Sequence, residues 1–187
     1  MRFFRTAVLF YAAFAVSLLA AQTQTRILGT IDEAQLVTLS GNVPSLAQPE
    51  FDLGAVPQGT VMTHMRLVLS RTAAQEQALE SFMAAQQNPQ SPYYHQWLTP
   101  AQFSQRYGVS GADINSLLNW LTGRGFSVER VDSGGMGIAF SGRVVDVENA
   151  FHTQIHQFNA EGEIFMANVS DPQIPAAWPR SWWASRT

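Results

Sequence analysis

The chain has 187 residues, 46% hydrophobic and 13% charged, with a net charge of −3 and no cysteine; all 11 basic residues are arginine. This is the balance of a folded chain, and the length suits one domain with added arms. It excludes disulfides, thiolate metal sites, cysteine nucleophiles and Schiff-base or P-loop lysines, and the negative balance speaks against a nucleic-acid partner.

In residues 1–21, Arg2 and Arg5 precede an apolar run from Ala7 to Ala21 broken only by Ser17. A basic start, a short apolar stretch and small residues at its end describe a secretory signal peptide. A membrane span needs about 20 apolar residues, more than this run supplies. The expectation is a secreted or periplasmic protein with no stable membrane anchor after cleavage. Residues 22–58 form a lead segment punctuated by Pro44, Pro49 and Pro57, with a short strand at Leu36-Val37-Thr38-Leu39. Extended backbone lying on a surface is expected there.

Residues 59–170 read as the domain proper. Val61, Thr63, Met65, Leu67 and Leu69 alternate with Met62, His64, Arg66, Val68 and Ser70, which predicts a strand with its odd side inward. A helix over Ala73–Gln87 follows, with Leu79, Phe82 and Met83 on one face, stopped by Asn88-Pro89 and Ser91-Pro92. Thr99-Pro100-Ala101-Gln102 opens a second, short helix, whose left-handed end Gly108 would supply. Ser110 to Asp113 opens a third, with Ile114, Leu117, Leu118 and Leu121 in a helical stripe and Gly123 and Gly125 at its end.

Phe126–Val131 and Met136–Ser141 form a hairpin around Ser133-Gly134-Gly135. Val144, Val147 and Phe151 mark a short helix. Gln154–Phe158 and Glu163–Ala167 form a second hairpin around residues 159–162. The tail, residues 171–187, carries Pro172, Pro175 and Pro179 and should be extended. The order predicts an α+β, ferredoxin-like antiparallel sheet with helices on one face, plus an extra helix pair inserted after the first helix.

No catalytic constellation emerges. His152 and His156 stand four apart, but one ends a helix and the other lies in a strand, and Thr153 stands where a metalloprotease motif needs glutamate. Gly134-Gly135-Met136-Gly137 joins two strands and opens no helix, so it is no phosphate cradle. No serine sits in a nucleophile elbow. No catalytic residue, metal or cofactor is expected. The aromatic run Tyr93-Tyr94-His95-Gln96-Trp97-Leu98 is read as pinning an irregular connection onto the core.

Ser91-Pro92-Tyr93-Tyr94-His95-Gln96-Trp97-Leu98-Thr99-Pro100 resembles the signature SP-x-Y-x-x-W/F-L-T-P of the activation (pro-) domain of sedolisin, or kumamolisin-like, serine-carboxyl peptidases. Within it, Pro92, Tyr94, Trp97, Leu98, Thr99 and Pro100 carry the match. Phe103 with Tyr107-Gly108 follows in the family's order, then Trp120-Leu121 with Gly125-Phe126. Next come Phe140-Ser141-Gly142 with Val147-Glu148-Asn149-Ala150-Phe151, and Ile174-Pro175-Ala176. Of these, Trp120, Gly125, Ser141, Gly142, Glu148 and Phe151 are expected to be structural. The resemblance covers about Val61 to Ala177 and implies a ferredoxin-like fold. It also implies a domain that assists folding of a peptidase and blocks its active site until acid triggers cleavage.

In the family a catalytic domain follows. This chain stops at Thr187, and Trp182 to Thr187 does not resemble the usual continuation, so no catalytic residue carries over. The expected partner is a sedolisin-type catalytic domain, met in trans or as part of a truncated or split precursor. A free extracellular binding module is the alternative from another class.

The alternation adds one expectation. His64 and Arg66 point outward, and a ferredoxin-like order sets the last core strand beside the first, bringing His156 near His64, with Glu129 on the same face. Protonating two neighbouring histidines below about pH 6.5 would then add repulsion and loosen the partner complex.

Overall fold

The computed structural model describes residues 23–27 and 31–178; the expected signal peptide and the last residues of the tail lie outside them. Helix starts follow from local chemistry. Thr72 caps α1 (Ala73–Gln87) and Thr99 caps α2 (Pro100–Tyr107), each in a reciprocal capping box with the glutamine three residues on, Gln75 or Gln102. Ser110 caps α3 (Gly111–Gly123) through the Asp113 N–H. A fourth helix, α4, spans Val144–Phe151.

The described residues also form eight strands: β1 Leu36–Thr38, β2 Asp52–Ala55, β3 Val61–Val68, β4 Ser127–Val131, β5 Gly137–Arg143, β6 Ile155–Ala160, β7 Glu163–Asn168 and β8 Gln173–Pro175. They form three antiparallel sheets, ordered β3-β5-β4, β2-β6-β7 and β1-β8. The expected α+β class holds, with the extra helix pair α2–α3 after α1. One side of β3-β5-β4 carries the core: Leu67, Leu69, Ile138 and Phe140 meet Leu117 and Leu121 of α3 and Val144 and Val147 of α4. Among the described residues, its other side carries no helix. Helices α1 and α2 pack on each other through Phe82, Phe103 and Tyr107, and α2 ends against the β4–β5 turn at Gly134.

Three expectations are corrected. The first concerns the phase of β3. His64 sits at φ 58° in a bulge between Met62 and Met65, and the extra residue moves the side chains before it to the opposite face. Met65, Leu67 and Leu69 point inward as expected, but Met62 packs on the core while Val61 is 58% exposed. The second concerns Gly108, which is not left-handed, at φ −79°. It is needed because a Cβ there would lie 2.6 Å from the Ser104 carbonyl oxygen. A left-handed glycine does follow α3, where Gly125 has φ 87°.

The third correction concerns β6. It does not lie beside β3 as a hydrogen-bonded neighbour; it pairs with β2 and β7. The β2 strand falls within the expected lead segment. Its Asp52-Leu53-Gly54-Ala55 stretch shows no alternation, and a bulge interrupts its register on β6.

Gly142 on β5 lies under the Phe126 ring, which a Cβ would strike, and Phe126 is itself wedged against Phe140 and Phe151. Gly142→Ala should therefore overpack the core and destabilise the domain by about 1–3 kcal/mol. Thermal unfolding checks this: an unchanged midpoint would show that the ring moves aside freely.

Candidate functional site

Strand alternation sends β3, β4 and β5 side chains outward on the side away from the helices. Val61, His64, Arg66 and Val68 of β3, Ser141 of β5, and Glu129 and Arg130 of β4 make up this surface, with Ala139 of β5 buried beneath them. Val61 is 58% and Val68 50% exposed. The arginines are half-exposed or more, and both Arg66 and Arg130 lean on Asp132 in the turn after β4. Arg143 closes one end of the surface, pairing with Asp146 at 2.9 Å. The result is a twisted sheet face with apolar positions among paired charges, a composition suited to docking on a folded partner.

At its centre, the Ser141 hydroxyl donates to Glu129, and the His64 backbone N–H reaches the same carboxylate at 3.4 Å. The Ser141 hydrogen bond, more than His64, holds Glu129 below the usual glutamate range. Thus His64 and Glu129, singled out from the sequence, do meet. His156 does not join them. Its Nδ1 lies 2.8 Å from Asp52 Oδ2, across β2–β6. The Gly54 N–H first, and His156 second, hold Asp52 below the usual aspartate range.

The His156 ring thus meets Asp52 while the His64 backbone N–H meets Glu129, on different sheets, so the expected juxtaposition of the two histidines has no geometric basis. Acid acts on this region through the carboxylates. Asp52, Glu129 and, through Arg143, Asp146 are all more acidic in the fold than in the unfolded chain. What they contribute to stability is present above the ordinary carboxylate pKa of about 4 and is lost as pH falls through their lower folded values. Stability should fall below about pH 4, and Asp52→Asn should flatten that fall. Urea midpoints measured from pH 2 to 7 test this; an Asp52→Asn curve parallel to the wild type would refute it.

The family-motif residues divide in two. Trp120, Gly125, Gly142, Glu148 and Phe151 are structural: Trp120 stacks edge-on with Phe151, and the Glu148 carboxylate accepts the Ile155 N–H that starts β6. The aromatic loop behaves otherwise than expected. Tyr93 pins it, meeting Phe82 edge-on at 5.5 Å, and Leu98 is half-buried. Tyr94, His95 and Trp97 instead stack on one another outside the core, and Trp97 is 69% exposed. Pro92 is exposed beside them, while Thr99 and Pro100 serve α2.

Sequence reasoning missed Asp52, Asp132 and Asp113. The first two become visible only once strands are paired. Asp113 is fully buried and accepts backbone N–H bonds from Arg26 and Ile27, far away in the chain.

The family model described as Pro-kumamolisin, activation domain, matches residues 51–180. Xanthomonalisin of Xanthomonas sp. (strain T-22) is 25% identical over 195 residues, which cover 95% of this chain and 24% of that protein. The chain thus spans about a quarter of that relative's length.

Proposed function

This chain belongs to the Pro-kumamolisin activation-domain family, the non-catalytic pro-domain of sedolisin-type peptidases, and from that premise we propose that it docks on a peptidase catalytic domain, inhibits it and assists its folding outside the cytoplasm. The observation that carries the docking is the uncovered face of β3-β5-β4. Helices fill one side of this sheet, while the other leaves Val61 and Val68 exposed among Arg66, Arg130 and Glu129. A standard interface takes about 800 Å² from each partner, and a sheet face with apolar centres and a charged rim is suited to supply it. The tail would then leave the domain as an extended segment able to lie in a substrate cleft.

A precursor form of the same function, with this domain joined to a catalytic domain, is favoured by the alignment of nearly the whole chain with a quarter of a longer relative. Secretion would follow from the amino-terminal segment read as a signal peptide.

Titration of a purified sedolisin-type peptidase with the purified chain tests the proposal at neutral and acid pH. Inhibition at neutral pH that is lost in acid is the expected result. Val68→Asp places an uncompensated charge in the docked face and should weaken binding by about a hundredfold without shifting the melting temperature, since Val68 is half exposed. No binding at either pH would reject the proposal in favour of a free extracellular module.

A further inference from the structure

The end of the family domain, residues 171–178, is held step by step by a segment that precedes the family match. The Leu39 N–H donates to the Pro172 carbonyl at 2.8 Å and the Ala176 N–H to the Gln35 carbonyl at 2.7 Å. Between these bonds β1 lies on β8, Val37 opposite Ile174. The Gly41 and Asn42 N–H groups donate to the Asp171 carboxylate at 3.2 and 2.8 Å. Trp178 is fully buried and meets Trp120 edge-on at 4.7 Å. The Trp120 indole N–H donates at 2.6 Å to Glu33, which also pairs with Arg124.

The same segment is fastened at both ends of α3. Arg26 and Ile27 bind Asp113 in its first turn, and Glu33 binds Trp120 and Arg124 at its last. Residues 26–27 thus meet the start of this helix, and residues 33–42 meet its end and then the tail. The family match begins at residue 51, so it includes the tail but not this holder.

We propose that residues 26–27 and 31–42 act as a strap that fixes the course of residues 171–178 and so sets the direction in which the chain continues toward the peptidase, with Glu33 on the strap and Asp171 on the tail as positioning residues. The proposal rests on the regulatory reading above. Its physical basis is preorganisation: residues 171–178 stay paired to β1 and anchored by buried Trp178, so the point from which the chain continues is fixed and less freedom is lost on binding. The strap's hydrogen bonds join it to the tail, to both ends of α3, to the Ser70 carbonyl just past β3 and to Asn168 of β7, and Ile27 is buried in the core. None of these bonds involves His64, Arg66, Glu129 or Arg130 of the docking face.

The experiment uses the full chain and three variants: Glu33→Ala with Asp171→Ala together, Asp171→Ala alone, and Glu33→Gln, which keeps an acceptor for the Trp120 indole. Hydrogen exchange of the Ala176 amide and its neighbours in β8 is compared with that of β3 and β5, and inhibition of a sedolisin-type peptidase is measured in parallel. In the double variant the tail amides should exchange about tenfold faster while the β3 and β5 amides keep their protection. Inhibition should weaken about tenfold, with Glu33→Gln close to the wild type.

Tail amides that stay protected would overturn the proposal. So would β3 and β5 losing protection together with the tail, because the strap would then be only part of the core. A freed tail with unchanged inhibition would overturn the presenting role. If the unmodified chain inhibits no such peptidase, the regulatory reading falls and takes the presenting role with it, whereas exchange still decides whether the strap holds the tail.

Discussion

Replacing Asp113 with alanine should lower the free energy of unfolding by about 3–5 kcal/mol, seen as a lower urea midpoint at unchanged slope. Asp113 is fully buried on the first turn of α3. One of its oxygens takes the Ile27 N–H at 2.9 Å, and both take the Arg26 N–H at 3.0 Å. The positive end of the helix dipole stabilises a carboxylate at this position, and the Arg26 guanidinium is close enough to act on it. Alanine would take this acceptor from the buried Ile27 N–H and the partly buried Arg26 N–H. Each such loss costs about 1–3 kcal/mol, and losing the charge partner adds to it. Asp113→Asn keeps one acceptor oxygen but sets an NH₂ group among donors, so it should fall between alanine and the wild type. A loss under about 1 kcal/mol for the alanine variant would mean that Arg26 and Ile27 are satisfied without Asp113.

Trp178→Ala should cost about 3–5 kcal/mol, the range for removing a buried tryptophan. The side chain is fully buried, edge-on to Trp120, at the end of the segment that β8 begins. Its removal would open a cavity beside α3 and free residues 173–178, which should also become sensitive to limited proteolysis. Trp178→Phe should recover most of the stability, because it refills the larger part of the space. Single-domain stabilities are about 5–15 kcal/mol, so either alanine variant removes a large share. A Trp178→Ala protein that melts like the wild type and resists nicking in the tail would show that Trp178 adds nothing to the core.

What the sequence made legible is what neighbours in the chain determine. The Thr72–Gln75 and Thr99–Gln102 capping boxes, the α3 stripe and the two hairpins are written within a few residues of where they act. The turn at Glu161-Gly162, with φ 55° and 85°, is the two-residue hairpin turn that its glycine announces. Long-range chemistry was not legible. Nothing in the alternation of residues 61–69 marks the one extra residue that the bulge at His64 absorbs. The partners of Asp113 lie 86 and 87 residues before it, and His156 meets Asp52 across 104 residues. The outward face of β3 could be read from period two, but its pairing with charges on β4 required the sheet to be assembled. The aromatic loop was misread because density of aromatic residues shows neither which ring turns inward nor which rings stack on one another.

The clip between β1 and β8 has a consequence for the order of events in folding. It joins parts of the chain as far apart as Gly41 and Asp171, 130 residues in sequence. Closing so long a loop early would forfeit chain entropy before many contacts repay it, although each further doubling of length adds only about 0.6 kcal/mol. The hairpins and α3 involve short loops and are expected to form first, with the clip closing on an assembled sheet. Contacts made after the transition state govern how slowly a protein comes apart, not how fast it goes together. Substitutions that tighten the clip should therefore lengthen the lifetime of the native state and leave the folding rate where it is. Wherever an opened chain is cleaved faster than it can reclose, that lifetime decides how long the chain survives.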